Sequence, residues 1–376
     1  MRLLSFELND WRNISSCRVE PGRGINVLFG DNAQGKTNLI EGIYYVATLR
    51  TFRPGRLGQL ARWETGGFRL RARAEVEGRV VQFEVQQQSA QRTLRVDGGP
   101  VPTTDEYFGG FNVVLFTPEH LALVRGEPAG RRTYVDRALF NVEASQLPVV
   151  RRYNRVLRER NAFLRQATVV DKNLLDALDQ QLAHAGSTLV FRRRWLLEEL
   201  GPLLGEVHRR LTGGGKQLEL RYRSRGLGDE QDVQSEVDQL GEQALAARLW
   251  EALREKRGED LRRGFTTVGP HQDDVAVLLE GRPARLVASQ GETRTIVLAM
   301  KLAEVLWIHD RRTEPPVLLL DDIGSELDET RRRVLFDYIY RMDCQTFLTT
   351  VAPDSVTEGE NRVYYHIVDG VVTPQK

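Results

Sequence analysis

The octapeptide Gly30–Thr37, GDNAQGKT, constrains this chain more than any other stretch of it. A G-x-x-x-x-G-K-T loop has to join a strand to a helix, because its backbone N–H groups must turn inward together and the helix N-terminus must face the same point. The glycines permit that turn, Lys36 supplies a point charge for β- and γ-phosphates, and the Thr37 hydroxyl is placed to ligate Mg²⁺. Gly30, Asp31, Asn32, Ala33, Gln34, Gly35, Lys36, Thr37 and the following Asn38 are therefore expected to surround a bound nucleotide, with ATP and Mg²⁺ as cofactors. The flanks agree. Gly24 to Phe29 is a short apolar run, and Leu39, Ile43 and Val46 recur at helical spacing directly after Thr37. Lysine is also scarce: of 53 basic residues only six are Lys, and Lys36 is one of them.

A chain of 376 residues is long for one core and short for three, so two domains are expected. Hydrophobic content of 41% and charged content of 28% are those of a soluble globular protein. Glu7 and Asp10 interrupt the N-terminus, and no apolar run approaches a membrane span, so a cytosolic chain with no membrane partner is expected. Cys17 and Cys344 lie far apart without a C-x-x-C pair, which argues against a disulfide framework or a thiolate zinc site. The formal net charge of +1 leaves the question of a polyanionic partner open. Its distribution is more informative: Arg151 to Gln166 holds six Arg and one Glu, whereas Gly226 to Glu242 holds six acidic residues and no basic one.

Periodicity divides the chain in three. Residues 2 to 116 read as strands around one helix: Leu3 to Leu8 alternates, and Phe68 to Val85 is strand-like about the Glu77-Gly78 turn. Helical spacing governs Val150 to Leu164, Asn173 to Leu200 and Ala244 to Leu261, with the glycine cluster Gly213-Gly214-Gly215 between. After Phe265 alternation returns through Val275, Val277 and Leu279, followed by a helix from Thr293 to His309 and the apolar run Val317 to Leu320, which reads as a buried parallel strand.

A phosphate-binding loop needs a distant carboxylate to hold the metal's water shell, and Val317-Leu318-Leu319-Leu320-Asp321-Asp322 offers one. Asp321 is expected to face Mg²⁺, and Asp322 to polarise the attacking water as general base. Ser289-Gln290-Gly291-Glu292 precedes a helix; alone it is a capping box, yet a Ser hydroxyl and backbone N–H groups at a helix N-terminus also make an anion site. Together with Ser325-Glu326-Leu327-Asp328, these segments resemble the signature motif and D-loop of ABC-type ATPases, in particular the SMC/Rad50-like branch. The resemblance implies an ATP-dependent homodimer in which ATP is sandwiched between the P-loop of one subunit and Ser289 and Gly291 of the other. Asp328 would contribute to hydrolysis from the D-loop.

Over essentially the whole chain the sequence is similar to the RecF recombination-mediator family. Asp10-Trp11-Arg12-Asn13, Phe116-Thr117-Pro118-Glu119, Gly130-Arg131-Arg132-Thr133-Tyr134-Val135-Asp136, Gly269-Pro270-His271-Gln272-Asp273-Asp274 and the double aspartate carry the match. The resemblance implies an α/β fold: a P-loop ABC-type ATPase head of mixed β-sheets around a central P-loop helix, with an inserted, mainly α-helical arm. The expected boundaries are 1–118 and 264–376 for the head and 119–263 for the arm. It also implies a nucleotide contact from Arg12 and a slow, Mg²⁺-dependent ATPase stimulated by DNA. The implied partners are double-stranded DNA and single-strand/duplex junctions or gaps, RecR, and indirectly RecA and single-strand-binding protein, in repair and replication restart.

Three departures stand out. Thr350 occupies the region where many ABC ATPases place a switch histidine, which points to slow catalysis; Asp322 stands where transporters usually have Glu; and Gln272 stands where Arg is expected. The nearest candidate for a Q-loop is Phe116 to Glu119. Arg151, Arg155 and Arg158 share one helical face, followed by Arg192, Arg193 and Arg194, a stripe that would track phosphates or else form a solvated face paired with Glu159, Glu198 and Glu199. The acidic run Gly226 to Glu242 reads as a solvated loop and helix start. Two rivals stand beside the mediator: an SMC-type structural clamp with negligible turnover, and a transporter's nucleotide-binding subunit, against which the long charged arm argues.

Overall fold

The computed structural model describes residues 1–53, 57–89, 91–108, 110–166, 171–228, 237, 241–312, 314–322, 328–353 and 361–375. Two compact units result. The first comprises Met1–Leu121, Val207–Gly214 and Gln290–Lys376; the second comprises Ala122–Glu206 and Gly215–Ser289.

The first unit contains two sheets with one helix buried in the core they share. Its antiparallel sheet has the order β2-β1-β4-β5-β6-β7, built from Arg2–Trp11 (β1), Ile14–Val19 (β2), Gly67–Val76 (β4), Arg79–Gln88 (β5), Gln91–Val96 (β6) and Gly99–Pro100 (β7). Alternation decides which face is inward: Phe68, Leu70, Ala72, Ala74 and Val76 are buried, while Arg69 and Arg73 are exposed. The β4–β5 hairpin turns through Glu77 (φ 49°) and Gly78 (φ 73°), both left-handed, as a two-residue type I′ turn requires.

The second sheet of this unit runs β15-β14-β3-β13-β12-β8, from Ile25–Phe29 (β3), Val113–Phe116 (β8), Val317–Leu320 (β12), Thr346–Thr350 (β13), Arg362–Val368 (β14) and Val371–Gln375 (β15). Its strands are parallel except β15, which joins β14 antiparallel at the edge. All four residues of β12 are buried between β8 and β13, which is why this strand reads as uninterrupted Val and Leu. The helix α1, Lys36–Thr48, buries every residue from Leu39 to Ala47, and its apolar side chains join those of both sheets in one core.

The second unit combines helices with a small sheet of order β11-β10-β9, formed by Leu218–Arg223 (β9), Asp274–Leu279 (β10) and Arg282–Pro283 (β11). It therefore takes in residues 264–289, beyond the arm boundary expected at residue 263. Its helices include Pro128–Val142, Gln146–Gln166 and Glu242–Arg263. The helix Lys172–Thr212 continues past Pro202, well beyond the Leu200 expected from periodicity, because Leu204, Val207 and Leu211 keep the buried spacing.

The strings 130–136 and 269–274 meet inside this unit. Arg131 binds both Asp274 oxygens (2.8 and 3.0 Å), Arg132 donates to the Asp273 carbonyl (2.6 Å), and Arg193 binds both Asp136 oxygens (2.8 Å each) and the Pro270 carbonyl (2.8 Å). His271 Nε2 faces the Thr266 carbonyl (3.0 Å) and Nδ1 the Tyr153 hydroxyl (2.6 Å), and desolvation lowers the ring's pKa. Arg193 and Arg194 are buried and do not extend an exposed basic stripe, whereas Arg151, Arg155 and Arg158 are exposed. The acidic run lies largely outside the described residues.

Candidate nucleotide site

The site begins where β3 ends. Gly30 has φ 145° and a Cβ there would overlap the Ile367 carbonyl oxygen of β14; Gly35 has φ 118° and a Cβ would come within 2.9 Å of Asn13 Oδ1. Both glycines therefore answer to neighbours brought by the fold as well as to the loop's own turn. Asn13 Nδ2 donates to the Gln34 carbonyl (3.1 Å) and Asn38 Nδ2 to Asn13 Oδ1 (2.6 Å). From the β14–β15 turn, the Asp369 and Gly370 N–H groups bind Gln34 at its side-chain and backbone oxygens (2.6 and 2.9 Å). The loop is thus braced on both flanks, which holds its geometry before a ligand arrives.

Lys36 Nζ donates to the carbonyls of Gly30 (2.6 Å) and Asp31 (2.8 Å). Burial lowers its pKa, opposed by the charges of Asp322, Asp321 and Asp31. Thr37 Oγ1 donates to Asp321 Oδ1 at 3.0 Å, and Thr349 Oγ1 donates to the same oxygen at 2.9 Å. Burial raises the Asp321 pKa, the two hydroxyl bonds oppose it, and the nearby Glu119 charge raises it further. Asp322 has φ 53°, its N–H donates to Thr349 Oγ1 (2.8 Å), and its side chain is exposed. Two adjacent aspartates thereby take opposite environments: Asp321 is buried on Thr37, and Asp322 is open to the cavity.

That cavity, about 330 Å³, is lined by Asn32, Ala33, Gly35, Lys36, Thr37, Asn38, Arg53, Asp322, Thr349, Thr350 and Val351. A hydroxyl and a carboxylate oxygen 3.0 Å apart beside the P-loop fit a magnesium ion that takes its remaining ligands from phosphate and water. Among the described residues no cluster of three or more His, Cys, Asp or Glu could hold a metal by itself.

Other expected residues lie elsewhere. Arg12 (φ 53°) turns its guanidinium onto Glu41, with bonds of 2.8 and 2.9 Å, and onto the Gln59 carbonyl (3.0 Å); it is not among the lining residues. Ser289 is exposed just before the helix Gln290–Arg312, and neither it nor Gly291 lines the cavity. Asp328 caps the helix Glu329–Arg341, accepting from the Arg331 N–H (2.9 Å) and pairing with its guanidinium (2.8 Å). Ser325, Glu326 and Leu327 of the D-loop lie outside the described residues.

Sequence reasoning missed Arg53, Glu41 and Thr349. Arg53 lines the cavity and bonds Asn38 and Glu41. Glu41 has no exposed side-chain surface; burial pushes its pKa up, but bonds from Arg12, Arg53 and Thr51 outweigh this and hold it below the usual carboxylate range. A Glu in an apolar helix and two hydroxyls closing a strand were the only signals. Among the described residues no helix is long and apolar enough to cross a membrane.

Residues 2–372 match the RecF/RecN/SMC N terminal domain family. The chain is 39% identical, over 93% of its length and 90% of the relative's, to the DNA replication and repair protein RecF of Myxococcus xanthus (strain DK1622). It is also 39% identical over its full length, and 99% of the relative's, to RecF of Anaeromyxobacter sp. (strain Fw109-5). A solved structure of the recombination mediator protein RecF with ATP, in the RecFOR pathway, matches with a TM-score of 0.90 at 27% identity, covering 100% of this chain and 97% of that one. An Smc head bound to the C-winged helix domain of ScpA matches with a TM-score of 0.58 at 13% identity, covering 100% and 97%, a likeness of fold. The fold is that of an ABC-type ATPase head, with mixed sheets about the P-loop helix.

Proposed function

This chain belongs to the RecF family of the RecF/RecN/SMC proteins, and from that premise we propose that it is an ATP-dependent, DNA-binding recombination mediator that closes as a dimer on ATP. The observation that carries the reading is the convergence of Lys36, Thr37 and Asp322 on one cavity, with Asp321 bonded to Thr37 behind its wall. Lys36 exchanges its carbonyl partners for β- and γ-phosphate oxygens. Thr37 and Asp321 hold Mg²⁺, which when bound neutralises phosphate charge. Asp322, exposed at the cavity, takes a proton from the attacking water. Ser289 and Gly291 serve the nucleotide of the facing copy, with Asp328 supporting from the end of the D-loop.

Closure creates a surface for DNA at gaps or single-strand/duplex junctions, and hydrolysis reopens it. The chain then recruits RecR and helps load RecA onto strands covered by single-strand-binding protein, in the cytosol. Thr350, buried beside the cavity where a switch histidine would stand, supports slow turnover and favours, as a second reading, a clamp that closes with negligible phosphate release.

Light scattering with ATP, Mg²⁺ and a gapped duplex tests this. The wild type is expected to dimerise with ATP and retain DNA, Asp322→Asn to stay dimeric, Lys36→Met to stay monomeric, and Ser289→Arg to bind ATP as a monomer. A wild type that remains monomeric with both ligands sinks the mediator; wild-type hydrolysis by Asp322→Asn removes Asp322 as the base. A closed dimer releasing no phosphate selects the clamp.

A further inference from the structure

Two threonines close the strand β13, and the fold gives their hydroxyls different tasks. Thr350 Oγ1 bonds the carbonyl and the N–H of Ala352 (3.1 Å each), which shapes the turn leaving the strand. Thr349 looks the other way. Val317 and Leu319 of β12 and Phe347 of β13 belong to the core packed on α1. Because side chains alternate along a strand, Asp321 and Thr349, two positions further on, share that face, where α1 opens with Lys36 and Thr37. The parallel register pairs Leu318 with Thr346 and Leu320 with Leu348, so one further step sets Asp321 beside Thr349.

A threonine hydroxyl has one proton to donate and lone pairs with which to accept. The Thr349 proton goes to Asp321 Oδ1 (2.9 Å), and a lone pair of the same oxygen takes the Asp322 N–H (2.8 Å). One atom therefore ties the carboxylate assigned to the metal to the backbone of the residue assigned to water. Each bond answers a need. Asp321 is buried, and Thr37 and Thr349 are the two hydroxyls that fix its Oδ1. Asp322 has φ 53°, a left-handed conformation unfavourable to a residue with a Cβ, and its N–H bond to Thr349 offsets that strain while the side chain opens onto the cavity. Thr349 is 2% exposed and its hydroxyl already makes both bonds, so it acts through the two aspartates and not on the nucleotide.

We infer that Thr349 is a positioning residue for ATP hydrolysis, its one hydroxyl orienting Asp321 for Mg²⁺ and holding the Asp322 backbone so that its carboxylate meets the attacking water. The inference rests on the ATPase reading above and adds to it that metal affinity and turnover depend on a strand-end hydroxyl outside the P-loop and the Asp321-Asp322 pair.

The test compares full-length wild type with Thr349→Val and Thr349→Ser. Valine keeps the β-branched shape and removes the hydroxyl, whereas serine keeps the hydroxyl. Mn²⁺ binding in the presence of a non-hydrolysable ATP analogue is followed by electron paramagnetic resonance, and kcat and KM for ATP are measured up to saturating Mg²⁺. Thr349→Val is expected to weaken Mn²⁺ about tenfold, as loss of a partner that orients a metal ligand does. It should also lower kcat about tenfold or more even at saturating Mg²⁺, with KM little changed, as a misplaced base predicts. Thr349→Ser should recover most of both. Wild-type Mn²⁺ affinity in Thr349→Val overturns the link to Asp321, and a kcat restored by excess Mg²⁺ overturns the link to Asp322. A serine variant as impaired as the valine one assigns the loss to packing and overturns the inference as a whole. A wild type that binds no Mn²⁺ with the nucleotide overturns instead the ATP-binding reading on which it rests.

Discussion

Glu41 is a carboxylate without solvent access on a helix otherwise filled by apolar side chains, and two guanidiniums and a hydroxyl keep it ionised. One carboxylate facing two arginines leaves a net positive charge, and Arg53 presents it at the cavity. Glu41→Gln removes the charge but not the shape, so it tests the ion pairs alone. Breaking a fully buried pair costs about 3 to 5 kcal/mol, and because Arg12 and Arg53 retain some exposure a loss of about 2 to 3 kcal/mol is expected in urea unfolding. Unchanged stability would show that the arginines are as well served by water. Lys36, Thr37 and Asp321 were legible because phosphate and metal chemistry dictates their residue types at set positions. Glu41 was not, because its meaning depends on Arg12, which lies 29 residues away in sequence and reaches it only in the folded chain.

At the scale of elements, the P-loop depends on its neighbours. Gly30 combines φ 145° with a carbonyl of β14 where a Cβ would sit, whereas Gly78, with φ 73°, has nothing within 4 Å of that position. Gly78→Ala should therefore cost only left-handed strain, about 1 to 2 kcal/mol. Gly30→Ala should cost clearly more, as β3 or β14 has to move, and should abolish the rise in melting temperature that ATP produces in the wild type. Equal costs at the two positions would remove β14 from the explanation. The sequence pattern identified the elements well where one face or both were apolar, as in β4, β12 and α1. It ended the helix Lys172–Thr212 at Leu200, whereas the buried spacing of Leu204, Val207 and Leu211 carries it past Pro202.

For the whole molecule, each unit holds a half-buried histidine whose pKa is depressed. In the first, His120 Nδ1 accepts the Thr117 N–H (3.0 Å), and burial holds its pKa well below 6.5; in the second, burial likewise depresses His271. A histidine with a depressed folded pKa contributes stability that is present above its unfolded value of about 6.5 and is lost as pH falls through the folded value. Melting temperature should accordingly fall as pH drops from 7 towards 5, and His120→Asn, which keeps an acceptor for the Thr117 N–H, should make that decline shallower; a variant with the wild-type slope removes His120 from the account. What the sequence alone determined was the class of chemistry, because GDNAQGKT and the Asp321-Asp322 strand end encode local geometries that tolerate few alternatives, and the parallel strand that carries them. Tertiary structure alone decided which of several similar residues meet. It made Arg193 an interior partner of Asp136, turned Arg12 onto Glu41 and set Thr349 on Asp321, because these pairings join segments far apart in the chain, and only burial determines which charges must be neutralised from within.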